Sequence, residues 1–315
     1  MRAFFAALAC ASVLLSACSD AGTDRSNAAK LNVITTVAPI TDIVRQVGGD
    51  AIDLFGLIPE GIDSHTFDPP PSTAKKLAGA DVVFLNGMHL EVSIEDLATS
   101  LVRNDVELVR LGNRVLPAAD EDDNPHIWMD PPNAVRYAQI VAEELSLLDS
   151  EHSGYYQSNL RSFSARIDVL DSAIRESVGT VPPGQRKLVT YHDSFTHFAS
   201  RYGFEVIAAI QPSDFSEPTP REVARIVEQI EGEHVPAIFG SEVFPSPVLE
   251  RIGNETGARY VDEVRDDDLP GDNGPFHTYI AMMIHNVRTI VNALGGDAST
   301  LRRVPQGSTW KVVKQ

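Results

Sequence analysis

The apolar positions of the chain fall into short buried runs that alternate with helical stripes. Residues 31–40, LNVITTVAPI, read as a buried strand, and residues 41–50 as a short helix closed by Gly48 and Gly49. Residues 51–59 predict a second strand, residues 72–80 a helix with Ser72 as N-cap, and DVVFLNG (81–87) and VELVRLG (106–112) two further strands. Such alternation argues for a mostly parallel sheet covered by helices.

A helix follows over 133–148, and then one long stripe. From Ser153 to about Ser177 the chain contains no proline, and Tyr156, Leu160, Phe163, Ile167, Leu170 and Ile174 recur at steps of three and four. A helix of that length is about 37 Å long at ~1.5 Å per residue. It fits either a surface helix or a strut between lobes. The strut is favoured because the same theme resumes beyond VGTVPPG, with strands expected at 186–192, 204–210, 235–242 and 258–264. Helices are expected over 193–203, 219–234, 246–257 and 275–295, the second opening with Thr219 as cap and Pro220 at the first helical position. The expected fold is therefore α/β, with two lobes joined by a single long helix. The lobes span 31–152 and 179–295, the linking helix 153–178. The tail at 296–315 reads as a short strand or as chain without fixed structure.

The N-terminus carries an address. Arg2 precedes an apolar run from Ala3 to Leu15, too short for a mature transmembrane helix and fitting a secretory signal peptide over 1–17. Leu15-Ser16-Ala17-Cys18 resembles a lipobox, which would place a lipid on Cys18 and leave residues 18–30 as a polar tether. Cys10 departs with the signal, so Cys18 has no disulfide partner. The expected location is outside the cytoplasmic membrane, with the protein held to the envelope by lipid.

Composition narrows the partners. The chain has 315 residues, 43% hydrophobic and 22% charged, with a formal charge of −18. That acidity argues against nucleic acid and against a polybasic membrane patch.

Three histidines occupy the places where open α/β sheets bind ligands, beyond the carboxyl ends of strands. His65 follows the second strand, His192 ends the strand KLVTYH, and His126 lies in DEDDNPHIWMDPP. Pro125 and Pro131-Pro132 fix the backbone around His126 and keep it out of a long helix. Alone, that loop could present a catalytic base, a metal ligand or nothing functional. The run RDDDLPG follows the last strand. Three imidazoles and a carboxylate would suit a borderline divalent ion. Calcium and magnesium prefer oxygen, and copper(I) prefers sulfur. No H-E-x-x-H or C-x-x-C pair marks a metal site locally. A zinc hydrolase would use the same residues with an open coordination position and an acidic general base.

From about Asn32 to Leu294 the chain resembles the solute-binding lipoproteins of ABC importers for zinc and manganese. The likeness is carried by residues 33–91, by NPHIWMDPPNA, by YHDSFTHFASRYGF and by YIAMMIHNV. It implies a metal buried between the lobes, a permease with its ATPase as partner, no enzymatic activity and a monomer. It implies His65, His126 and His192 as ligands, with Asp267 as the fourth and Asp266 and Asp268 one residue to either side. Zn2+ is the expected cargo and Mn2+ the alternative. Glu242 is a candidate to orient an imidazole N–H. Two departures stand out. Ser64 replaces the usual proline before the first histidine and is expected to loosen that loop, and LPAADEDDNP is short and acidic where many zinc receptors carry a histidine-rich loop.

Overall fold

The computed structural model describes residues 30–59, 61–116, 124–211, 218–241, 246–269 and 277–306. Cys18, Glu242 and most of the acidic run before His126 lie outside them.

The first half forms a parallel sheet of β1 (Leu31–Thr35), β2 (Ile52–Gly56), β3 (Val82–Leu85) and β4 (Glu107–Arg110), in the order β2-β1-β3-β4. The second half repeats that order with β5 (Lys187–His192), β6 (Glu205–Gln211), β7 (Ala237–Ser241) and β8 (Arg259–Val264), as β6-β5-β7-β8. Every pairing is parallel. β3 and β7 are buried at every position, which is why their sequences are continuous apolar runs rather than alternating ones. Helices α1 (Ala38–Gly48), α2 (Ser72–Ala78), α3 (Val92–Leu101), α4 (Leu111–Val115) and α5 (Pro131–Leu148) belong to the first lobe. The long α6 (Ser153–Gly179) then leads to α7 (Thr196–Tyr202), α8 (Pro220–Glu233), α9 (Pro247–Thr256) and α10 (Tyr279–Ala293).

Several expectations need correction. The first strand stops at Thr35, because Pro39 belongs to the first turn of α1. Ser72 caps nothing. Pro71 holds the N-cap position and makes no side-chain bond. The helix expected over 133–148 starts two residues earlier, with Pro131 and Pro132 in its first turn, where a missing N–H costs nothing. The tail is neither strand nor loose chain as far as residue 306. Ser299–Arg303 forms a 3-10 turn against α6, with Leu301 buried, Thr300 Oγ1 2.7 Å from Ser177 Oγ, and Arg303 paired with Glu176 at 2.7 Å. The cap at Thr219 is as expected and forms a full capping box with Glu222.

One apolar core crosses the molecule. It runs from Val33 and Val83 through Phe163, Ile167 and Leu170 of α6 to Leu188 and Phe239 of the second sheet. A smaller cluster around Ile226, Ile238 and Leu249 backs the second sheet. Phe163 is fully buried at the centre of this continuity. Phe163→Ala should cost about 3–5 kcal/mol and shift one shared unfolding transition in denaturant. Two transitions, only one of them moved, would contradict a common core.

Candidate metal centre

Both sheets aim the carboxyl ends of their strands at the interlobe crevice. His65 sits on the segment after β2, in a turn closed on itself: Asp63 Oδ1 accepts from His65 N at 2.8 Å and Asp63 Oδ2 from Thr66 Oγ1 at 2.6 Å. His126 lies beyond α4, just before α5. His192 is the last residue of β5, at the point where the strand order reverses. Asp267 follows β8.

The neighbours of Asp267 are otherwise engaged. Asp266 Oδ1 accepts from Asp267 N at 3.0 Å, and Asp268 pairs with buried Arg265 at 3.1 Å. Only the middle carboxylate turns inward.

The four side chains meet. His126 Nε2 lies 3.0 Å from His192 Nε2 and 3.3 Å from His65 Nε2. Asp267 brings Oδ1 within 3.3 Å of His126 Nε2 and Oδ2 within 3.6 Å of His65 Nε2. One ligand atom from each lies within 4.8 Å of every other, the one such group among the described residues. A tetrahedron with Zn–N bonds of about 2.0–2.1 Å has edges of about 3.3–3.4 Å, so the spacing fits an ion of that size. Asp267 Oδ1 is buried without a well-aligned hydrogen bond. A buried acceptor pointing at clustered imidazole nitrogens is a place for a cation.

Supporting groups fix the rings. Asn124 Oδ1 lies 3.0 Å from His126 Nδ1 and accepts its proton, leaving Nε2 to face the cluster. Trp128 packs edge-on to the His126 ring at 5.3 Å. Ser64, expected to loosen the His65 loop, does the opposite. It is buried, and its hydroxyl donates to Asp267 Oδ2 across the crevice. These three residues were not singled out as helpers in the sequence, although each stands within two positions of a ligand. His89 and His277 are exposed and stand outside the group. His285 meets Glu263 O at 2.7 Å.

The electrostatics divide the imidazoles. Burial pushes His65 down to about 4, with His126 and His192 adding to the effect and Asp267 opposing it. Burial, then His126, lowers His192. His126 is also buried, yet its pKa is raised, because Asp267 and then Asp266 and Asp193 favour its charged form. Asp267 is held well below the usual carboxylate range against the cost of burial, chiefly by His126. Without metal, the cluster therefore favours a proton on His126, facing Asp267, over one on His65 or His192.

Two parallel-sheet lobes with three imidazoles and a carboxylate gathered between them make a two-lobed metal-binding protein. The periplasmic zinc binding protein TroA from Treponema pallidum superposes with a TM-score of 0.78 at 26% identity, covering 84% of this chain and 99% of that one. The iron-binding protein YfeA of Yersinia pestis is 29% identical over 93% of this chain and 96% of its own length. The manganese ABC transporter substrate-binding lipoprotein PsaA of Streptococcus anginosus is 27% identical over 90% and 95%. The chain belongs to the family described as zinc-uptake complex component A, periplasmic, whose model matches residues 33–293. It is the metal-binding solute receptor of an ABC importer, not an enzyme.

A pH dependence follows. A metal must displace the proton that Asp267 holds on His126, and that proton is held more tightly than on a free imidazole of pKa about 6.5. Zinc affinity should begin to fall above that value as pH drops, with proton release per ion that grows as pH falls, read by calorimetry in buffers of different ionisation enthalpy. Flat affinity down to about pH 5 would contradict it. Asn124→Ala should weaken zinc binding about 10–100-fold by freeing the ring, measured by competition with a chelator.

Proposed function

We propose that the protein captures one divalent cation, zinc by preference, through His65, His126, His192 and Asp267, and delivers it to a membrane permease with its ATPase. The observation that carries this reading is the spacing of the four ligand atoms around buried Asp267 Oδ1. Three imidazoles and one carboxylate oxygen suit zinc. The Ser64 hydroxyl occupies the other oxygen, which favours monodentate binding and a four-coordinate ion. A site with four protein ligands leaves no position for a reactive water, as a carrier requires. Manganese is the second reading, motivated by relatives named for manganese and iron. Zinc exceeds manganese in affinity at most nitrogen-rich sites, so the cargo in the cell also depends on supply.

Residues 1–17 are removed, Cys18 carries lipid, and 18–30 tether a monomeric body of two lobes, 31–152 and 179–295, linked by 153–178. No described helix is long and apolar enough to cross a membrane.

Stripped protein titrated with each ion by calorimetry at about pH 7.5 should show one tight zinc site and much weaker manganese. His126→Ala and Asp267→Asn should each lose more than the ~10–100-fold of a supporting residue, whereas Asp266→Asn, which can still accept from the backbone, should keep tight binding. Binding indifferent to His126 and Asp267 would sink the four-ligand site.

A further inference from the structure

His126 belongs to the first lobe by sequence, but most of its fastenings reach the second. Asn124 Nδ2 donates to Asp193 O at 2.6 Å, and His197 Nε2 meets Asn124 O at 2.9 Å. Trp128 Nε1 donates to Asp266 O at 3.1 Å, and Tyr279 OH donates to Trp128 O at 2.6 Å. Asp130 forms an ion pair with Arg201. On the other side, Asn86 Nδ2 donates to Pro125 O at 2.9 Å, with Asn86 itself held by Tyr137 at 2.7 Å. Ile127, Trp128 and Met129 are fully buried. The segment 124–130 is thus built into both lobes at once.

The segment of His65 is built differently. Gly61, Ile62, Thr66, Asp68, Pro70 and Pro71 are exposed. Gly61 has φ 73° with open space where a Cβ would stand, while Pro69-Pro70-Pro71 stiffen the other end. Its turn is closed by its own Asp63, and its side-chain hydrogen bond to the second lobe is the one that the Ser64 hydroxyl donates to Asp267 Oδ2, against the five that hold 124–130 there. The His65 side chain is 18% exposed against 1% for His126.

We infer that Trp128, with Asn124 and Asp130, acts as a positioning residue that fastens His126 to the second lobe, so that His126, His192 and Asp267 remain together as a three-ligand half-site while metal enters and leaves by movement of the His65 segment. This inference rests on the four-ligand reading above. It locates exchange in one exposed segment rather than in a hinge between lobes. The continuous core through α6 fits that picture, because wide lobe opening would expose it.

Hydrogen exchange read by mass spectrometry on the full protein tests the fastening without relying on metal. In metal-free wild type, 124–130 should already be protected and 61–68 should exchange at least about 10-fold faster. Zinc should protect mainly 61–68. Fast exchange of 124–130 in the metal-free protein would overturn the inference even if zinc binds as proposed. Trp128→Phe keeps most of the ring but removes the indole donor. It should speed exchange at 124–130 and raise the chelator-measured zinc dissociation rate about 10-fold. Unchanged exchange and dissociation in that variant would refute the role of Trp128. His65→Ala should retain measurable zinc binding at the half-site while His126→Ala loses far more. Equal loss in the two would overturn the half-site, and zinc binding unaffected by either would instead overturn the ligand set itself.

Discussion

A single buried carboxylate sets the terms for this molecule. Asp267 stands among three imidazoles that come from both lobes, and a lone charge there would be costly without partners. Its partners are a proton on His126, the hydroxyl of Ser64 and, by our account, the captured ion. The two flanking aspartates are spent locally, one on a backbone amide and one on Arg265. The loop after β8 therefore offers one ligand in one orientation. Both sheets, with strands pointing at the same crevice, are the means of bringing that carboxylate to the imidazoles.

The frame around the site limits how it can work. α6 spans 27 residues, about 40 Å at ~1.5 Å per residue, and its buried face is shared by both lobes. A common core of that kind resists wide hinging and leaves exchange to local segments. Among those, the proline-flanked His65 segment is more exposed than the buried His126 segment. A closed set of four ligands, rigid on one side and approachable on the other, suits holding and releasing an ion better than transforming a substrate.

Much of this was legible in the sequence, for identifiable reasons. Parallel strands buried on both faces leave unbroken apolar runs, and α6 leaves a long three-and-four stripe without proline. α3, α4 and the 3-10 turn at Ser299–Arg303 were not expected: α3 has Ile94, Leu97, Ala98 and Leu101 at helical spacing, α4 is a five-residue turn that follows a strand directly, and the 3-10 turn is held by contacts with α6. The histidines stood out because each lies beside a strand end or between prolines. Their helpers did not. Ser64 meets Asp267 across 203 positions of sequence and Trp128 meets Asp266 across 138, and no local pattern encodes such pairs. The proline expected at position 64 would have offered no hydroxyl, so a residue that looked like a loss of rigidity is a bond between lobes.

The most direct measurement is X-ray absorption spectroscopy at the zinc edge of the zinc-loaded protein. The account predicts a four-coordinate ion with three imidazole nitrogens and one oxygen, all at about 2.0–2.2 Å. Fewer than three imidazoles, or a five- or six-coordinate shell rich in water oxygen, would contradict a site closed by His65, His126, His192 and Asp267.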